Sequence, residues 1–144
     1  MTGPVIVNRQ RRYRIPVARM QRFANTLARR LRIEHLEFSL VLSNDRAIRR
    51  LNRNFRQKDR STDILSFPAQ DPVPSGADLD NPYLGDMILS VETARRQAFD
   101  RNHTLERELC LLMIHGLLHL LGYNHEVDRG EMRRMELRLQ KELL

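Results

Sequence analysis

The chain has 144 residues, the size of one domain, and can bury a core without disulfides or a metal acting as a staple. Its single cysteine, Cys110, excludes an intramolecular disulfide and a cysteine-rich zinc knuckle, and fits a reducing compartment. Basic residues outnumber acidic ones 25 to 18, and Lys58 and Lys141 are the only lysines. An arginine-rich excess suits phosphate oxygens and admits a polyanionic partner, although solvated helix faces account for it equally well.

The opening MTGPVIVNRQRRYR lacks the basic, apolar, small-residue order of a secretory signal. The longest apolar stretch, Cys110 to Leu121, is broken by two histidines and falls short of the roughly 20 residues that span a bilayer. A soluble cytoplasmic protein without membrane partners is expected. In chain order, Val5 to Asn8 predicts a first strand, and Pro16 the first residue of a helix. Val17, Met20, Phe23, Ala24, Leu27 and Leu31 recur at three and four, a buried stripe opposite Arg19, Arg22, Arg29 and Arg30. Leu36 to Ser43 predicts a second strand. Ser43, Asn44 and Asp45 offer cap chemistry for a helix carrying Ile48, Leu51 and Phe55 on its apolar side.

Ile64 to Phe67 predicts a third strand, and Met87 to Val91 a fourth, introduced by Gly85 and Asp86. Gln70 to Tyr83, rich in Pro and Asp, predicts a surface loop. Glu92 to Arg101 predicts a polar helix. Thr104 caps the next, which runs to Leu121, is apolar almost all round and ends at Gly122. Asp128 and Glu131 resemble a capping box for a last helix, Arg129 to about Leu143. The order β-α-β-α-β-β-α-α-α predicts an α/β fold: one domain, residues 1–144, with a small mixed four-stranded sheet, about five helices and a central buried apolar helix.

That central helix carries the chemistry. His115 and His119 are four apart, so they share one face about 6 Å apart along the axis. Gly122 permits a sharp turn that can bring His125 back to them. Buried histidines without a metal would each need a partner for a polar ring nitrogen. Three neutral imidazoles with a position left for water form a catalytic zinc site, one Zn2+ per chain. The spacing matches the metalloprotease pattern H-E-x-x-H-x-x-G-x-x-H, except that Gly116 stands where the general base belongs.

The run HGLLHLLGYNH, with LNRNFRQKDRSTDILSFP (Leu51 to Pro68) and Gly85 to Ser90, resembles the YbeY family of bacterial rRNA maturation factors, and the likeness runs from about residue 36 to 132. The sequence departs at Asn124, where the family has Asp, at Ser61, where Pro is common, and across Arg101 to Thr104. The resemblance implies a metal-dependent single-strand endoribonuclease that matures 16S rRNA at its 3′ end within the small ribosomal subunit and serves ribosome quality control. Ribosomal proteins or assembly GTPases are then further partners. It implies zinc on His115, His119 and His125, and a required Arg56, whose guanidinium can hold phosphate oxygens as charge develops. No general base stands out, and the 2′-hydroxyl of the RNA can serve as nucleophile. His103 is a further candidate for substrate contact, and Asp86 and Asn124 for orienting a ligand histidine. Two other readings stay open: another zinc metallohydrolase such as a peptidase, opposed by Gly116, and a non-enzymatic assembly factor with a structural zinc, which would need a fourth protein ligand.

Overall fold

The short β-branched run near the N-terminus forms strand β1 (Pro4–Asn8) in the computed structural model, which describes residues 3–69 and 83–144. Helix α1 (Val17–Arg30) buries Met20, Ala24 and Leu27 of the predicted stripe, with Ala28 beside them, and packs Val17, Phe23 and Leu31 partly buried against the core. Pro16 sits one residue earlier than expected, at the N-cap, where its carbonyl accepts the Met20 N–H at 3.0 Å. Strand β2 (Glu37–Ser43) buries Phe38, Leu40 and Leu42 and leaves Ser39 and Val41 half-buried, the period-two signature of a strand with one core face. Asn44 then caps α2 (Asp45–Arg56) by accepting the Ala47 N–H at 2.9 Å.

Two boundaries shift. Strand β3 (Ile64–Pro68) lies as expected, but β4 (Tyr83–Ser90) begins earlier than Met87, so Gly85 and Asp86 sit inside the strand rather than before it. Backbone pairing with β3, from Leu89 opposite Ile64 to Gly85 opposite Pro68, is what extends it. The predicted Gln70–Tyr83 loop lies outside the described residues except for Tyr83, which is in β4. The sheet order is β1-β2-β4-β3, with β1, β2 and β4 parallel and β3 antiparallel at one edge.

Ser90 caps α3 (Val91–Asp100), and Thr104 caps α4 (Leu105–Leu120) by accepting the Arg107 N–H. Helix α4 is the centre of the core, with Leu109, Met113, Ile114 and Leu117 fully buried against Met20 and Leu27 of α1, Leu40 and Leu42 of β2 and Met87 and Leu89 of β4. Burying each such side chain stabilises by roughly 1.5–3 kcal/mol, which holds α4 against the sheet without help from its weak amphipathicity. Cys110 is buried there, and burial pushes its thiol pKa up to about 12, as a small structural hydrophobe requires.

Helix α5 (Glu131–Leu143) starts two residues later than expected, because Gly130 takes a left-handed φ of 96° at the N-cap. Asp128 still caps it, its carboxylate accepting the Gly130 and Met132 N–H groups. Among the described residues, five helices lie on one mixed four-stranded sheet, as expected.

Candidate metal centre

The last turn of α4 ends in a Schellman motif. The Tyr123 N–H reaches the Leu118 carbonyl and the Gly122 N–H the His119 carbonyl, each at 3.0 Å, with Gly122 at φ 98°. An L side chain disfavours that φ, so glycine is what allows the chain to reverse here. The reversal brings His125 back over the helix, its ring 5.8 Å from that of His115 and 5.5 Å from that of His119. One nitrogen from each histidine lies within 4.8 Å of the others, and among the described residues no fourth carboxylate, thiolate or imidazole joins them.

The hydrogen bonds fix the tautomers. His119 Nδ1 lies 3.1 Å from the Tyr123 carbonyl oxygen, which only accepts, so Nδ1 carries the proton. His115 Nδ1 lies 3.3 Å from Glu136 Oε2 in α5. Burial raises the Glu136 pKa, but the hydrogen bond from His115 and neighbouring basic groups such as Arg133 outweigh it and hold the group below the usual carboxylate range. Glu136 is therefore ionised and His115 Nδ1 is also the donor. With both rings neutral, as ligation requires, the two Nε2 lone pairs face each other at 3.2 Å. Two lone pairs at that distance repel unless a cation sits between them. Burial, followed by the neighbouring His115, also lowers the His119 pKa and favours the neutral, ligating ring. The donor set fits a divalent metal ion, and these three histidines can hold one.

Two clefts flank the triad. One, of about 570 Å3, is lined by His115, His119 and His125 together with Arg56, Ser66 and Asn124. Arg56, at the end of α2, donates from Nη2 to the Ser66 carbonyl at 3.0 Å and lies over the Phe67 ring. Ser66 in turn donates to the Gly116 carbonyl at 3.1 Å, linking the edge strand to the ligand helix. The other cleft, of about 670 Å3, lies along α4 and holds Arg101 and Arg133 beside His115, His125 and Glu136.

Gly116 is set by packing. A Cβ there would lie 2.7 Å from Met87 Sδ, 2.8 Å from Ile64 Cδ1 and 3.2 Å from Ser66 Oγ. The position packs closely on the sheet, so a protease-type glutamate would have to displace Met87 and Ile64.

The weaker candidates fall elsewhere. Asp86 is engaged by Ser39 at 2.5 Å and by the Tyr83 hydroxyl, so it does not orient a ligand histidine. Asn124 lines the cleft, but its side chain accepts the Glu126 N–H at 3.0 Å and shapes the turn instead of holding a ring. His103 is absent from the lining of both clefts and contacts Glu108 at 2.5 Å, which Arg101 also reaches at 2.8 Å. Glu108 is fully buried, so this pairing satisfies a carboxylate inside the fold. Sequence reasoning missed Glu136. Its only signal was helical spacing: Met132, Glu136 and Leu139 share the inward face of α5, and an acid among core residues marks a buried partner.

The model of one family, described as endoribonuclease YbeY, matches residues 5–144. A curated endoribonuclease YbeY from Solibacter usitatus is 44% identical over 124 residues, covering 86% of this chain and 77% of that protein. One from Heliobacterium modesticaldum is 50% identical over 112 residues, covering 72% and 68%. The solution structure of a Thermotoga maritima protein superposes with a TM-score of 0.64 over 96% of this chain and 88% of that one, at 24% identity, which speaks to the fold. With a matching family model over nearly its whole length and close relatives spanning most of it, the chain belongs to the endoribonuclease YbeY family.

Proposed function

We propose that this chain is a zinc-dependent endoribonuclease that cuts single-stranded RNA during maturation of 16S rRNA at its 3′ end, in the cytoplasm and on the small ribosomal subunit. The observation that carries the reading is the placement of a cation-demanding imidazole pair and the Arg56 guanidinium in one cleft, in a chain of this family. Three neutral imidazoles and an open fourth position suit zinc, which when bound supplies Lewis acidity and a water of lowered pKa.

The residues divide the work. Glu136 and the Tyr123 carbonyl hold two rings with Nε2 turned inward. Arg56, anchored to the Ser66 carbonyl by one nitrogen, keeps its remaining donors for phosphate oxygens and neutralises charge that develops on them. The arginine excess of 25 basic over 18 acidic residues supports a polyanionic substrate. No helix among the described residues is long and apolar enough to cross a membrane, in keeping with work on ribosomal particles, where ribosomal proteins and assembly GTPases would be neighbours. The missing general base and the crowding at Gly116 weigh against a peptidase, and the lack of a fourth ligand among the described residues weighs against a closed structural zinc.

The test pairs elemental analysis with cleavage of a single-stranded RNA. Wild type and Arg56→Ala are expected to hold one zinc per chain, and His119→Ala to hold none, with cleavage lost in His119→Ala and strongly reduced in Arg56→Ala. Undiminished cleavage by His119→Ala overturns the reading. In cells, His115→Ala is expected to accumulate 16S precursors with extended 3′ ends.

A further inference from the structure

Phe55 breaks the pattern of its helix. The stripe of Ile48 and Leu51 predicts that its ring points into the core, and Ile48 is fully buried, yet Phe55 is 68% exposed. Helix α2 ends beside β3, at one edge of the sheet, where the Phe67 ring meets that of Phe55. The two rings stand edge to face, 5.9 Å apart at 71°, an arrangement that leaves a face of Phe55 open. The Arg56 guanidinium lies 5.6 Å from the centroid of Phe67.

The location gives this exposure a meaning. Arg56 follows Phe55 in the chain, and Ser66 precedes Phe67. The Arg56–Ser66 and Ser66–Gly116 hydrogen bonds run from this aromatic pair to the helix that carries the metal ligands. Neither phenylalanine lines the cleft with the three histidines, whereas Arg56 both lines that cleft and lies over the Phe67 ring, so it joins the two. We infer that Phe55, backed by Phe67 and Arg56, is a stacking platform for one base of the RNA strand, next to the phosphate that Arg56 and the metal centre receive. This inference rests on the endoribonuclease reading.

The platform selects a substrate class. An aromatic face takes any base, because every base has a π-face, but only a base free of its own helical stack can reach it. Preference for single strands then follows from Phe55 without sequence-specific contacts. A duplex keeps its bases stacked and would meet only the arginines.

The experiment uses the full chain as purified and a 2′-fluoro oligoribonucleotide, which lacks the 2′-hydroxyl nucleophile and is checked by gel to stay intact, carrying 2-aminopurine at successive positions. Fluorescence reports stacking at each position, and anisotropy reports affinity. Phe55→Leu keeps an apolar contact to Phe67 and removes the π-face. Thermal melting and metal content establish that it folds and loads normally, and Phe55→Tyr is the restoring variant. Phe99→Leu, at an 83% exposed ring lining a separate depression, is the control for general loss of aromatic surface.

In wild type, one 2-aminopurine position is expected to be quenched. Phe55→Leu loses that quench and binds the single strand about tenfold more weakly. Phe55→Tyr and Phe99→Leu keep both, and binding of a duplex is alike in all four proteins. Unchanged quench and affinity in Phe55→Leu, or an equal loss in Phe99→Leu, overturns the platform while wild-type RNA binding leaves the endoribonuclease reading in place. Absence of single-strand binding by the wild type overturns both.

Discussion

Nε2 of His115 and Nε2 of His119 face each other at 3.2 Å while both Nδ1 atoms are engaged, by Glu136 and by the Tyr123 carbonyl. In the proposed metal centre these second partners decide which nitrogen is left to ligate, so metal affinity would depend on a residue that is not itself a ligand. Glu136→Gln is expected to weaken zinc binding by roughly 10–100-fold while the fold stays intact. Competition with a chromophoric chelator measures it. Equal affinity in the variant would mean that Glu136 does not set the His115 tautomer.

Chelation of a metal held only by the native state should also lower the melting temperature, since binding energy adds to folding energy. Differential scanning calorimetry with and without chelator is expected to show the loss in wild type and none in His119→Ala.

In the proposed reaction Arg56 acts on charge rather than on the metal. Arg56→Ala is expected to lower kcat/KM for RNA cleavage by about 10²–10³-fold with metal content unchanged. Arg56→Lys should recover little, because an ammonium anchored to Ser66 cannot also present a planar fork. Steady-state kinetics alongside elemental analysis separates this from a ligand's role.

Gly116 should tolerate no side chain well. Gly116→Ala is expected to destabilise by roughly 1–3 kcal/mol as Met87 and Ile64 are displaced from a packed core. Gly116→Glu, which completes the metalloprotease pattern, is expected to prevent folding and to confer no peptidase activity. Urea denaturation and a casein-type assay check the two.

Acid should act through Asp45. Its carboxylate accepts from Ser61, Ser90, Thr93 and Arg96, tying the start of α2 to α3 and to the segment before β3. Burial raises its pKa, but the hydrogen bonds of Ser90, Thr93 and Arg96 outweigh it and bring it from 3.8 to about 2. A folded pKa below the unfolded one means stabilisation that is complete above about pH 4 and lost as pH falls toward 2. The shift corresponds to about 2 kcal/mol. Asp45→Asn is therefore expected to lower stability by that order at pH 7 and to converge with wild type near pH 2, read by urea denaturation across pH.

Periodicity carried much of this structure. The stripe of α1, the alternation of β2 and the all-round apolar α4 were legible because burial repeats at 3.6 or 2 residues. The His115, His119, His125 spacing was legible because one helix and one glycine turn are local devices. What stayed hidden depends on distant chain segments. Glu136 meets His115 only because α5 packs on α4, and Gly116 reads as a missing base until β3 and β4 close over it. Phe55 looks like a core residue until the sheet is seen to end at β3. Ser61 looks like a mere departure until its hydroxyl is found on Asp45 at 3.1 Å.

The turn at Gly122 has one more consequence. Two ligands stand on a rigid helix and the third on the exposed stretch that follows it, so a bound ion fastens a loop to a core element. Loading and unloading then tune local opening of residues 122–130 without touching the hydrophobic interior. Amide exchange in that stretch should track metal occupancy while exchange in α4 stays slow, which makes the turn a natural reporter of the loaded state.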